Sequence, residues 1–142
     1  MQLNLLWVED RAQTLADAGE VLQEEGWKIT NAPTGEDAIA LVAKPDAAWH
    51  LVILDFQLPL GESETPRLPD ELADERVGIE VLRVLRQVHP TLPVIILSGI
   101  TDYPMFPNLE GEALHLGVSQ MLKKPVSLDE LLQAVETAIG PE

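Results

Sequence analysis

The chain has no cysteine, few aromatic residues and few basic residues. Without cysteine it has no disulfides, thiolate metal sites or thiol chemistry, which suits a reducing cytosolic compartment. Nine Lys and Arg residues against 24 Asp and Glu residues give a formal net charge of −15, and such a charge repels nucleic acid and anionic membrane surfaces. The sequence has neither the basic start of a signal peptide nor an apolar run long enough to cross a bilayer. It therefore predicts a cytoplasmic protein without a nucleic-acid or membrane partner.

Hydrophobic residues, mostly aliphatic, make up 46% of the 142 positions, which is enough for one ordinary core. Short apolar runs predict strands over 3–8, 28–32, 51–54, 94–97 and 120–122. Segments of helical periodicity between and after them predict helices over 12–25, 35–42, 78–88, 108–116 and 127–139. Strands that alternate with helices imply a parallel sheet covered on both faces, because each parallel crossover needs a helix to return the chain. We therefore expect one α/β domain.

Several predicted helix ends carry local signals. Thr34 stands three residues before Asp37, and Ser127 three before Glu130, which is the spacing of a capping box or a variant of it. Gly117 follows the predicted helix over 108–116 and suits the left-handed position after a helix C-terminus. These signals predict where the second, fourth and fifth helices begin or end.

Polar side chains follow four of the predicted strands. Glu9 and Asp10 follow the first, Asp55 the third, Ser98 the fourth and Lys124 the fifth. Ligands of open α/β sheets bind outside the carboxyl ends of the strands, so we expect these five residues on one rim. Clustered carboxylates suit a divalent cation, and an all-oxygen set favours Mg²⁺, while a lysine and a hydroxyl can contact phosphoryl oxygens. The pattern indicates a phosphoryl-transfer site.

The motifs that carry these residues are WVED, ILDFQLP, VIILSG and LKKP. In this order, each at a predicted strand end, they resemble the receiver domain of two-component response regulators, the CheY-like superfamily. The resemblance covers essentially the whole chain, so it implies a single receiver domain over 1–142. It also implies a flavodoxin-like (βα)5 three-layer sandwich with a five-stranded parallel sheet in the order 2-1-3-4-5. A receiver is a switch that is phosphorylated and dephosphorylated, and not a turnover enzyme.

The same resemblance implies roles for individual residues. Asp55 would accept a phosphoryl group from the phosphohistidine of a histidine kinase or phosphotransfer protein, and Ser98 and Lys124 would contact that group. The expected Mg²⁺ ligands are Glu9, Asp10, Asp55 and the main-chain carbonyl of Gln57. The side chain of Gln57 is expected to tune how fast water removes the phosphoryl group. The signal would then pass by conformational change to a downstream protein target that the sequence does not identify.

The chain departs from the family pattern in three places. Met121 occupies the position three before the lysine, where the family usually has an aromatic switch residue. Prolines at 104 and 107 leave a short, delayed fourth helix. An acidic insertion at about 60–77 separates the third strand from the third helix, and Pro69 begins a predicted small helix that runs through Arg76. The insertion is either a lid or partner contact, or a solvated segment, and composition favours the solvated segment.

Other interpretations of these residues remain open. Glu9 and Asp10 could cap the first helix, Asp55 could bind a nearby backbone N–H, and Ser98 alone is typical of a turn. A haloacid-dehalogenase-type phosphatase also uses an aspartate after an apolar strand, but it needs a second aspartate where Gln57 stands. A phosphorylation-independent interaction module with a receiver-like fold is the main alternative function. The chain would be either a stand-alone regulator or one domain of a longer protein.

Overall fold

The computed structural model describes residues 3–9, 16–44, 48–55, 70–98, 111, 115–123 and 126–139, with the backbone alone at 16, 70–78, 98 and 123. The strands are β1 (Leu3–Val8), β2 (Trp27–Ala32), β3 (Leu51–Asp55), β4 (Val94–Ser98) and β5 (Gln120–Lys123). The helices are α1 (Ala16–Glu24), α2 (Gly35–Val42), α3 (Asp70–Val88) and α4 (Leu128–Ile139). Among the residues so described, no helix is long and apolar enough to cross a membrane.

The five strands form one parallel sheet in the order β2-β1-β3-β4-β5. The predicted α/β class, the flavodoxin-like topology and the strand order are therefore confirmed. Central strand β3 is buried at every position, as expected for a parallel strand that helices cover on both faces. The predicted strand bounds differ from the observed ones by one residue at β2, β3, β4 and β5.

Alternate residues of the strands pack in two separate cores, because successive side chains point to opposite faces of the sheet. One core joins the sheet to α1 and α4 and includes Leu5, Ile53 and Ile95 from the strands. The other joins the sheet to α2 and α3 and includes Leu54 and Ile96. The molecule is thus a three-layer sandwich, in which the continuous apolar runs of the sequence serve both faces.

The two capping signals form as predicted. The hydroxyl of Thr34 accepts a hydrogen bond from the Asp37 main-chain N–H at 3.1 Å and begins α2. At the start of α4 the hydroxyl of Ser127 accepts from the Glu130 N–H at 3.1 Å, and the Glu130 carboxylate accepts from the Ser127 N–H at 3.3 Å. Each pair satisfies main-chain donors that have no partner within the helix.

Helix α3 corrects one predicted boundary. It runs without interruption from Asp70 to Val88, so the expected start at Gly78 is wrong. Residues 70–76 of the predicted small helix are the first part of α3, and Pro69 lies outside the described residues. Most residues over 70–76 (Glu71, Leu72, Ala73, Glu75 and Arg76) are good helix formers, and acidic residues near a helix N-terminus are stabilised by the helix dipole. Of the insertion predicted at about 60–77, residues 70–77 are helical and 60–69 lie outside the described residues.

Two further predicted helices are described in part. The first helix was expected over 12–25, and the described portion is Ala16–Glu24. Of the helix expected over 108–116, the structure describes helical backbone at Gly111 and His115, followed by a turn. Gly117 has φ of 78°, which confirms the predicted left-handed residue after this helix.

The side chain of Arg86 joins three segments at the edge of the sheet where the strands begin. Its guanidinium donates to four main-chain carbonyls: His89 and Leu92 before β4, and Leu116 and Gly117 before β5. Burial lowers the pKa of Arg86 from its usual value, although an arginine remains charged at neutral pH. This contact holds the end of α3 and the starts of β4 and β5 in fixed relation.

Candidate functional site

The carboxyl ends of β1, β3, β4 and β5 meet at one edge of the sheet. Val8 of β1 pairs with Leu54 of β3, so the register places the following residues, Glu9 and Asp55, beside each other. In β4, Ser98 lies one position beyond Leu97, the residue that pairs with Asp55. The backbone thus brings Glu9, Asp55 and Ser98 to adjacent strand ends, where the sequence predicts a site.

Glu9 and Asp55 are the buried polar or charged residues among those the structure describes, with 2% and 1% of their surfaces exposed. Strand alternation places Asp55 on the face of α1 and α4, in line with Leu51 and Ile53. Two carboxylates buried beside each other are expensive unless positive charge or hydrogen bonds compensate them. Such a pair at the ligand-binding edge of a parallel sheet is therefore typical of a functional site.

The main chain of Glu9 is held from the side of β2. Its N–H donates to the carbonyl of Ala32 at 3.1 Å, which extends the ladder one step beyond the last β1–β2 pair. Its carbonyl accepts from Nδ2 of Asn31 at 3.1 Å, and the same nitrogen donates to the carbonyl of Trp7 at 3.0 Å. The sequence analysis did not identify Asn31, because its contact depends on the register between two strands. No local signal distinguishes Asn31 from Lys28 and Thr30, the other polar residues of β2.

Of the remaining residues predicted to bind the metal or the phosphoryl group, the structure describes only the backbone of Ser98. Ser98 is described by its backbone as the last residue of β4, paired with Lys123 of β5. Asp10, Gln57 and Lys124 lie outside the described residues, so their roles remain predictions. Within the described part of the chain no group of three or more His, Cys, Asp or Glu residues could hold a metal. The two carboxylates that are described supply the oxygen ligands that suit Mg²⁺.

Met121, predicted at the position of the family's switch residue, is half-buried in β5. It pairs with Ile96 of β4 and packs against the core shared by α2 and α3. A methionine adapts to irregular space because its side chain is unbranched and flexible. Because Met121 pairs with Ile96, it lies beside β4, the strand that ends in Ser98.

Curated proteins with similar sequences include a methylesterase/glutaminase and several transcriptional regulatory proteins. No protein-family model matches the chain. A protein-glutamate methylesterase/protein-glutamine glutaminase of Trichodesmium erythraeum is 28% identical over 137 residues, covering 95% of this chain and 34% of that protein. The transcriptional regulatory protein PdtaR of Mycobacterium tuberculosis is 28% identical over 139 residues, covering 96% of this chain and 56% of that protein. The chain therefore spans only part of these relatives, and their similarity supports a two-component signalling role without assigning their activities to it.

Solved structures with the same fold are receiver domains. The non-phosphorylated receiver domain of HemR from Leptospira biflexa superposes with a TM-score of 0.73 at 23% identity, covering 99% of this chain and 97% of that one. A response regulator from Burkholderia pseudomallei, solved with a phosphorylated aspartic acid, a calcium ion and citrate, gives 0.68 at 17% identity, covering 96% and 68%. The chain therefore has the fold of these response-regulator receiver domains.

Proposed function

We propose that this chain is a phosphorylation-activated switch of two-component signalling, in which Asp55 accepts a phosphoryl group. The observation that carries the proposal is the pair of buried carboxylates, Glu9 and Asp55, on adjacent strand ends of a receiver fold. A core-facing strand that ends in a carboxylate is costly for stability alone. A phosphoryl acceptor beside a metal ligand is a function that accounts for both residues.

In the proposed reaction a carboxylate oxygen of Asp55 forms a P–O bond with phosphorus as the P–N bond of the donor phosphohistidine breaks. The donor imidazole leaves with the electron pair of that bond and takes up a proton. Because Asp55 is buried at the end of a paired strand, its carboxylate has little freedom to move, and this restriction favours attack in line with the leaving nitrogen.

Glu9 and Asp55, with Asp10 and the main-chain carbonyl of Gln57, are the residues that would hold Mg²⁺. Bound Mg²⁺ supplies positive charge to the carboxylates and to the oxygens of the incoming phosphoryl group. The Burkholderia response regulator that carries a phosphorylated aspartic acid together with a calcium ion supports this assignment. Calcium and magnesium are both hard cations that prefer oxygen ligands.

Residues on β4 and β5 would detect the new phosphate. Ser98 and Lys124 would bind its oxygens by a hydroxyl and an ammonium donor, and the side chain of Gln57 would set the rate of hydrolysis. Met121 packs beside Ile96 and would fill the space that opens when Ser98 moves. The two-state change would present a different surface to a downstream protein target.

The proposed setting is the cytoplasm, where the donor would be a histidine kinase or phosphotransfer protein. The whole chain, 1–142, would act as one receiver domain, accepting and losing one phosphoryl group without converting a substrate. The high negative charge of the chain argues against direct nucleic-acid or membrane contact. An effector activity such as methylesterase is not proposed, because the similarity covers 34% of that relative.

The test is intact mass spectrometry after incubation with phosphoramidate, whose P–N bond resembles that of phosphohistidine. We expect one phosphoryl adduct on the wild type with Mg²⁺, and none with EDTA or on Asp55→Asn. Glu9→Gln should slow the reaction at limiting Mg²⁺. Asp37→Asn removes the same charge from an exposed position in α2 and should react as the wild type does.

Two results would contradict the proposal. An adduct that persists on Asp55→Asn would move the acceptor elsewhere in the chain. No adduct on the wild type, with a known receiver phosphorylated in parallel, would favour the phosphorylation-independent interaction module.

A further inference from the structure

The side chain of Asn31 joins two main-chain carbonyls on the neighbouring strand. Asn31 pairs with Trp7 in the register of β1 and β2. Its Nδ2 donates to the carbonyl of Trp7 at 3.0 Å and to that of Glu9 at 3.1 Å. A side-chain amide carries two hydrogens on this nitrogen, so both donors are used in one bridge along β1.

This bridge holds β1 where the regular ladder ends. The last β1–β2 pair is Val8 with Ala32, which is also the last residue of β2. The chain then turns into α2 with Thr34 as its N-cap. The amide of Asn31 therefore supplies a donor to the Glu9 carbonyl at the point where β2 departs.

Two contacts together fix the orientation of the main chain at Glu9. Its N–H is bound by the Ala32 carbonyl and its own carbonyl by Asn31. The main-chain conformation at Glu9 is thereby restricted.

We propose that Asn31 is a positioning residue of the proposed Mg²⁺ site, which holds the main chain at Glu9 so that the Glu9 carboxylate can bind the cation. The inference rests on the proposed function. Groups that orient metal ligands without touching the metal commonly change its affinity tenfold or more when removed. Asn31 binds the main chain of a ligand and not its carboxylate, so the expected loss lies near the lower end of that range.

The experiment measures Mg²⁺ binding to the unphosphorylated protein by titration calorimetry, which does not require phosphoryl transfer. Asn31→Leu keeps the branching at Cγ and removes both donors. Asn31→Gln keeps the amide on a longer arm. Thr30→Val is the control, because it is a neutral change of similar shape at the neighbouring position of the same strand. All variants are measured well below their unfolding temperatures, which are determined in EDTA.

We expect Asn31→Leu to raise the dissociation constant for Mg²⁺ about tenfold, Asn31→Gln to lie between it and the wild type, and Thr30→Val to match the wild type. In phosphoramidate reactions, Asn31→Leu should shift the half-maximal Mg²⁺ concentration by the same factor and keep the rate at saturating Mg²⁺. A merely structural asparagine would lower the unfolding temperature without this shift.

An unchanged Mg²⁺ dissociation constant in Asn31→Leu, beside clear binding by the wild type, would overturn the inference and leave the proposed function intact. If the wild type binds no Mg²⁺ at all, the proposed metal site is refuted and the positioning role with it.

Discussion

Replacing Arg86 by methionine should destabilise the protein by an amount that its contacts predict. The methionine retains much of the aliphatic stem and removes every donor. The wild-type guanidinium donates to four carbonyls at distances from 2.5 to 3.1 Å. The bonds to Leu116, His89 and Leu92 are partly buried, whereas the bond to Gly117 is exposed.

The magnitude follows from these four bonds. A net contribution of about 1 kcal/mol for each partly buried bond, and about half of that for the exposed one, gives roughly 3 to 4 kcal/mol. Domains of ordinary size have a free energy of unfolding of about 5–15 kcal/mol, so the loss is a large fraction of the total. It is large because one side chain connects α3 to the segments before β4 and β5.

Urea unfolding followed by circular dichroism and tryptophan fluorescence measures this loss. With a urea slope of about 2 kcal/mol/M, a loss of 3 kcal/mol lowers the midpoint by about 1.5 M. Arg83→Met is the matched control, since Arg83 lies in the same helix and the same charge is lost. Arg83 is partly exposed and bonds Glu80 at 2.7 Å, so its replacement should cost about 0.5 kcal/mol or less.

The reasoning about Arg86 is refuted if Arg86→Met and Arg83→Met lose the same small amount. Arg86→Lys should fall between the wild type and Arg86→Met, because an ammonium keeps the charge but lacks the planar fork that reaches several carbonyls. A lysine variant as stable as the wild type would show that charge alone, and not the geometry of the four bonds, stabilises this corner.

Two further predictions concern local backbone features. Gly117→Ala should lower the free energy of unfolding by about 1 kcal/mol, because φ at Gly117 is 78°. Space is not the cause, since the nearest atom to an added Cβ is Arg86 Nε at an ordinary 3.9 Å. Gly111→Ala is the control, with nothing within 4 Å of the added Cβ and no positive φ, and equal losses of the two variants in urea unfolding would contradict a cost due to the positive φ. Ser127→Ala should lower the free energy of unfolding by about 1 kcal/mol, because the Glu130 N–H loses its cap. Ser119→Ala, at an exposed bend, should be nearly neutral. Thermal unfolding of both variants checks this, and equal unfolding temperatures would show that the Ser127 cap does not stabilise the protein.

Local signals in the sequence were sufficient for most of the fold. The strand 51–54 was predicted because four consecutive apolar residues can be buried on both faces only in a covered sheet. The start of α4 was predicted from Ser127 and Glu130, whose reciprocal bonds involve residues three apart. Such features need only the chain within one helical turn, so the sequence contains them in full.

The start of α3 was missed because the available signal was ambiguous. Gly78 lies inside the helix, although an isolated glycine before an apolar periodic segment resembles a boundary. The charged residues before it carry no apolar stripe that would extend the pattern. Their helical propensity and the stabilisation of acidic residues near the N-terminus favour one continuous helix.

The sequence by itself determined the alternation of strands and helices, the helix caps, and the presence of carboxylates at the carboxyl ends of the first and third strands. Tertiary structure decided which strands are neighbours, and through the pairing of Val8 with Leu54 it placed Glu9 beside Asp55. It also decided the contacts of Asn31 with Glu9 and of Arg86 with the distant turn at Leu116 and Gly117. The physical reason is range: helix caps and strand periodicity act over a few residues, whereas strand order and register are set by packing between segments that lie 20 or more residues apart.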